Sequence, residues 1–163
     1  MTSLQIKHAL LSHYRFKRQY ICASECMDND VMVITNKGII EVEVKINKYD
    51  LWKGEAKKSK HRWYAGTNYQ AFIPNLFYIC VPKELEEEAV KWTESVNNKY
   101  GVLGCHERYS FPYLIYTIKR AKKLHNEFNK CLEHSIMKRV CCENINLIGR
   151  LLKENVHKKN KTT

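Results

Sequence analysis

No stretch of this 163-residue chain is apolar for long enough to span a bilayer. The N-terminus also lacks a signal-peptide pattern, because Lys7, His8 and Arg15 interrupt its apolar positions. These absences predict a cytoplasmic protein with no membrane partner, in a host cytoplasm or nucleoid if it is phage-encoded. The seven cysteines contain no Cys-x-x-Cys pair and no paired zinc spacing, which removes zinc-ribbon and dithiol-exchange readings. In a reducing compartment they stay as thiols. An iron–sulfur cluster on Cys22, Cys26, Cys105 and Cys131 can be drawn, but buried cysteine acting as a small apolar side chain is far commoner. No internal repeat and no long linker appears, so one domain is expected over residues 1–163. Acids are also short, at 17 against 28 Lys and Arg, for a net charge of +11. Such a charge favours a polyanionic partner and leaves the fold open. The excess is uneven: residues 119–163 are strongly basic, and the segment around Glu84 is acidic.

What is present suits a folded α/β protein, with 44% hydrophobic and 11% aromatic residues. Leu4, Ile6, Ala9, Leu10, Leu11 and Tyr14 predict an amphipathic helix from Ser3 to about Gln19, with Ser3 as its N-cap. Strands are expected at 20–26, 30–35 and 38–46, the last two joined by an Asn36-Lys37-Gly38 turn. A polar helix follows over 47–64, anchored by Trp52 and Trp63, and then a loop over 66–74. Leu76 to Val81 reads as a buried central strand bounded by Pro74 and Pro82. A helix over 83–100 turns Leu85, Ala89, Val90 and Trp92 inward and stops at Gly101. A short strand at 102–105 and an irregular stretch over 107–112 precede Tyr113–Thr117, which reads as a strand or as the start of a helix. From Ile118 to Val156 the spacing of Ala121, Leu124, Phe128, Leu132 and Ile136 predicts helix, broken in two near 141–144 and Gly149. Residues 1–117 thus form an α/β core with a mixed central sheet flanked by helices, 118–156 an added C-terminal helical segment, and 157–163 a frayed basic tail.

The chemistry concentrates on one hairpin. Glu41, Glu43 and Lys45 point to one face of the third strand, and Ile40, Val42 and Val44 to the other. Two acids and a lysine on one face of a short apolar strand are expensive to bury for stability alone. They make sense if a divalent cation neutralises the acids and the lysine meets a phosphate or an activated water. Asp30, on the preceding strand, supplies a further carboxylate. A capping aspartate and an exposed ion-paired strand face would give the same string. Glu41 competes with Glu43 as a ligand, and the Glu-x-Lys spacing favours Glu43.

Asp30, the hairpin, and Glu43-Val44-Lys45 resemble the PD-(D/E)XK nuclease superfamily, also called restriction-endonuclease-like. The leading helix, Glu25, Gly38, Asp50 and the Leu76–Val81 strand followed by Pro82 extend the likeness over residues 3–100, toward small MmcB-like DNA-repair nucleases. One departure is Asn29, which stands where the motif has proline. The resemblance implies a restriction-endonuclease-like fold and a metal-dependent DNA endonuclease of repair, recombination or phage DNA processing. It implies Mg2+, with Mn2+ able to substitute, held by Asp30, Glu43 and the Val44 carbonyl, with Lys45 catalytic and Glu25 serving a second ion or a water. Lys48, Lys60, His61 and Arg62 are the candidate DNA contacts, with Trp63 and Tyr64 available for stacking. Duplex or branched DNA is the expected partner, and a homodimer would place two sites on two strands. The alternative is a non-catalytic nucleic-acid-binding protein on the same fold.

Overall fold

The computed structural model describes residues 1–66, 72–107 and 113–159, with side chains as far as 150. One mixed sheet carries six strands in chain order: β1 (Ile21–Cys26), β2 (Asn29–Thr35), β3 (Gly38–Val44), β4 (Leu76–Pro82), β5 (Gly101–Glu107) and β6 (Tyr113–Lys119). β1, β2 and β3 are antiparallel, β3, β4 and β5 are parallel, and β6 returns antiparallel to β5. Helices α1 (Ser3–Ser12), α2 (Lys60–Ala65), α3 (Glu86–Val96) and α4 (Lys130–Lys159) flank it. The expected α/β architecture with a mixed sheet and a C-terminal helical segment is therefore present.

α1 is capped by Thr2 and not by Ser3. The Thr2 hydroxyl accepts from the Gln5 N–H, and the Gln5 side chain accepts from the Thr2 N–H, a reciprocal capping box. The helix passes into a π-helical turn over His13–Lys17 and ends before Gln19, whose φ is +58°. Ile6, Ala9, Leu10 and Tyr14 pack on Val31, Val33, Ile40, Val42 and Val44, forming one side of the core. Leu4, expected inward, is exposed.

On the opposite face, Trp92 and Ala89 of α3 pack on Phe77, Ile79, Val81, Val102 and Tyr100. There Leu132 and Ile136 of α4 also meet Ala23, Met32 and Ile39. α4 closes the sheet edge too. The Ser24 N–H donates to Glu143 Oε1 (3.1 Å), and Arg139 Nε donates to the Ser24 carbonyl (3.0 Å). Edge-strand groups that would otherwise face solvent are thereby satisfied.

The expected helices differ from those observed at several points. The helix over 47–64 is broken into a π-helical turn at Asp50–Gly54, a 3-10 turn at Glu55–Lys57, and α2. Lys58 is extended (ψ 126°), which separates the 3-10 turn from α2. Trp52 is part of the core contact, but Trp63 is exposed. The acidic helix α3 ends at Val96, before Gly101, which already opens β5.

Residues 120–129 contain no helix, although Ala121, Leu124 and Phe128 have helical spacing. Their backbone bonds elsewhere: Leu124 N–H donates to the Asn75 carbonyl (2.9 Å), Lys122 N–H to the Lys99 carbonyl (2.8 Å), and Ala121 N–H to the Tyr78 hydroxyl (3.3 Å). Long-range partners override local propensity there. Tyr113–Thr117 resolves as strand. α4 is one unbroken helix, because Gly149 sits on an exposed helix and costs only about 1 kcal/mol against alanine. Of the expected irregular stretch over 107–112, Glu107 instead ends β5; residues 108–112, most of the predicted loop (67–71) and residues 160–163 of the predicted tail lie outside the described residues.

Two turns set the hairpin. Between β2 and β3, positive φ falls only at Gly38 (+130°), where a Cβ would stand 2.4 Å from the Asn75 side chain. That Asn75 side chain accepts from the Ile39 N–H and donates to the His125 and Glu127 carbonyls, tying β3 to the segment before α4. Between β1 and β2, Met27 (φ +54°) and Asp28 (φ +62°) form a two-residue turn flanked by the paired Cys26 and Asn29. Both central residues are left-handed, a turn for which Asn and Gly are usual.

Candidate functional site

β3 divides its side chains as its alternation predicts. Ile40, Val42 and Val44 join the core beneath α1. Glu41, Glu43 and Lys45 leave the other face and are nonetheless buried, at 0%, 1% and 5% exposure. Buried charge of this kind needs partners, and they come from the broken segment after β3. Lys60 Nζ donates to Glu41 Oε1 (2.6 Å) and to Glu43 Oε1. Lys58 Nζ donates to Glu43 Oε2 (2.7 Å) and lies 2.9 Å from Glu55 Oε2. Lys45 Nζ lies 3.0 Å from Glu55 Oε2, 3.4 Å from Asp50 and 3.8 Å from Glu43 Oε2. Tyr64 donates its hydroxyl to Glu41 Oε2 (2.6 Å). The carboxylates of Glu41, Glu43, Glu55 and Asp50 therefore face the ammonium groups of Lys45, Lys58 and Lys60 in one network.

Asp30 stands at the end of the β2–β3 ladder. Its Oδ2 accepts from the Val44 N–H (2.7 Å), and its Oδ1 lies 2.7 Å from Lys7 Nζ of α1. Lys7 also pairs with Glu25, which is half-exposed. Glu25 has φ +49° and lies between the paired residues Ser24 and Cys26 of β1, so the strand is distorted where it presents this acid. The carboxylate of Asp30 is thus fastened to the residue that lies between Glu43 and Lys45. The Lys45 N–H donates to the Cys80 carbonyl of β4, whereas the Val44 N–H is directed to Asp30. A strand residue directs its N–H and C=O to the same edge, so the Val44 carbonyl faces the Asp30 side.

The electrostatics follow from this packing. Burial works against charge on Asp30, yet the Lys7 pair and the Val44 N–H outweigh it and hold the carboxyl below its ordinary range. Burial pushes Glu43 up to about 7, with Lys60 opposing and the neighbouring Glu55 and Glu41 adding to the rise. Glu55 is also disfavoured by burial, but the bond from His61 and the charges of Lys60, Lys45 and Lys58 hold it well below the usual carboxylate range. For Lys45, desolvation opposes the charge and is overcome by Glu55, Glu43 and Asp50, so its pKa is raised. Lys45 is a fixed cation at neutral pH.

Glu55 was not singled out by the sequence, and it is the centre of the arrangement. It is fully buried, holds Lys45, Lys58 and the His61 ring (3.0 Å), and keeps Oε2 without a well-directed hydrogen bond. Its helical surroundings resembled a solvated charged face, and only the break before α2 turns it inward.

The predicted DNA contacts separate. His61 is buried between Glu55 and Tyr100, with Nδ1 2.9 Å from the Tyr100 hydroxyl, so its ring is not offered to a phosphate. Tyr64 is buried as well, which removes it as a stacking face. Lys60 is spent on Glu41 and Glu43. Lys48 and Arg62 are exposed, Lys48 being 3.0 Å from Glu88.

Magnesium takes oxygen ligands and is commonly held by one or two carboxylates, keeping several waters. Asp30, Glu43 and the Val44 carbonyl are oxygen donors of that kind, with Asp30 tied to the Val44 N–H and to Lys7 of α1, and Glu43 tied to Lys58 and Lys60. Among the described residues, no group of three or more His, Cys, Asp or Glu stands together to hold a metal, which also leaves the cysteine cluster drawn from the sequence without support. The donor set suits a two-carboxylate site completed by water and phosphate, and not an all-protein cage. No helix among the described residues is long and apolar enough to cross a membrane. No family model, no curated protein and no solved structure matches the chain.

Proposed function

We propose that the protein is a metal-dependent DNA endonuclease with a restriction-endonuclease-like fold, cutting phosphodiester bonds during repair, recombination or phage DNA processing. What supports this reading is the Asp30 carboxylate bonded to the Val44 N–H, next to Glu43 in the chain, and Lys45 3.8 Å from Glu43. A bound Mg2+ or Mn2+ ion supplies Lewis-acid polarisation of the phosphate and a water of lowered pKa. Asp30, Glu43 and the Val44 carbonyl would hold the ion. Lys45 remains protonated at neutral pH, so it acts as a cation that stabilises charge developing on the phosphate oxygens, and not as a base. Glu55 fixes the Lys45 ammonium and acts through it as a positioning residue. Glu25 shares Lys7 with Asp30 and stands ready to compete for that cation. Exposed Lys48 and Arg62, with the net charge of +11, supply sequence-blind affinity for duplex or branched DNA.

A non-catalytic nucleic-acid-binding protein is the second reading. It is favoured by the pairing of Glu43 with Lys58 and Lys60 and of Asp30 with Lys7, which gives both carboxylates cation partners within the chain. Incubation with plasmid and branched DNA in Mg2+ or Mn2+ separates the two. The nuclease reading expects cleavage that chelator stops and that Glu43→Gln and Asp30→Asn each reduce at least about a hundredfold, with circular dichroism showing both variants folded at the assay temperature. Binding without cleavage, equal in wild type and both variants, supports the second reading instead.

A further inference from the structure

We propose that the cleft between the β1–β2 turn and α2 holds an unpaired base of single-stranded DNA, with Trp63 as its stacking face. The inference deepens the nucleic-acid reading above and rests on it. The cleft encloses about 510 Å³ and is lined by Met27 and Asp28 of the turn, by Lys58 and Lys60, and by Trp63 and Phe72. That size falls within the range of small-ligand pockets, about 300–1,000 Å³.

Three independent features point to this occupant. Trp63, Phe72 and Met27 are 57%, 47% and 44% exposed, so apolar and aromatic surface is left open on the cleft walls. Lys58 and Lys60, which reach Glu43, also line the cleft, so it is continuous with the acid cluster. The third feature is the turn. Met27 and Asp28 both adopt left-handed backbone without being glycine, and strain of this kind concentrates where a site is shaped. An exposed aromatic face on a chain of net charge +11 matches a ligand that is both flat and anionic. A nucleotide is such a ligand, and the net charge of +11 favours it over an apolar peptide. A base inside a duplex keeps its faces stacked on its neighbours, whereas an unpaired base offers one to Trp63.

The test is fluorescence anisotropy in chelator, so that cutting does not intervene. The probes are a labelled 12-nucleotide single strand, the same strand with abasic positions, and the blunt duplex. Base capture predicts that the intact strand binds about tenfold more tightly than the abasic one. Trp63→Ala should remove that difference and Trp63→Phe restore most of it. Equal affinity for intact and abasic strands, or a Trp63→Ala variant that binds like wild type, overturns the proposal. Because Trp63 is exposed, loss of fold does not confuse the result, and Asp28→Gly should keep the base dependence while relaxing the turn. Cleavage is scored separately with Mn2+ on plasmid. Cutting without base dependence removes the cleft proposal and leaves the nuclease standing, and base dependence without cutting does the reverse.

Discussion

The Glu55 carboxylate lies 3.0 Å from the Lys45 ammonium, and both side chains are buried. Glu55→Gln leaves the Lys45 charge without its nearest partner. Removing one member of a buried pair costs about 3–5 kcal/mol. Urea unfolding at neutral pH should show that loss as a lower midpoint with an unchanged slope.

Glu43 carries its proton to higher pH when folded than when unfolded. Its folded value is about 7 against an ordinary 4.5. The folded state therefore binds more protons between those values, and stability falls as pH rises from about 4.5 through 7. Glu43→Gln is fixed in a neutral form and escapes this loss. In chelator, the melting temperature of the variant relative to wild type should rise between pH 5 and 8. A constant difference across that window would show that Glu43 titrates normally.

Asp30 behaves in the opposite sense. Its folded pKa is depressed, chiefly by the Lys7 pair and the Val44 N–H acting against burial. The stability it contributes is present above its unfolded value and is lost as pH falls through the folded one. Lys7→Met should raise the Asp30 pKa, read by carboxyl carbon chemical shifts. It should cost about 1.5–3 kcal/mol at pH 7, the range for a hydrogen bond between charged groups.

Leu132 is 1% exposed and packs α4 onto β1 and β2. Leu132→Ala should destabilise by about 2–5 kcal/mol in denaturant titration. Ile145→Ala, at an exposed position of the same helix, should change stability by no more than about 0.5 kcal/mol.

The hairpin was legible because strand alternation is a local rule. Ile40, Val42 and Val44 on one side and Glu41, Glu43 and Lys45 on the other needed only the period of two. The buried β4 run between its prolines was legible for a similar reason. His61 and Tyr64 were misjudged because a Lys-His-Arg-Trp-Tyr string looks solvated on any helix. Their burial depends on Tyr100 and Glu41, which are 39 and 23 residues away. Leu124 and its neighbours kept a helical pattern but gave their backbone bonds to Asn75, Lys99 and Tyr78.

By itself the sequence determined the first five strands along the chain, the two faces of β3 and the excess of positive charge, since each follows from near neighbours or from composition. Only the tertiary structure decided which cation meets which acid. Ammonium groups from α1 and from the segment after β3 converge there on carboxylates far away in sequence, and burial makes each charge depend on every other within reach.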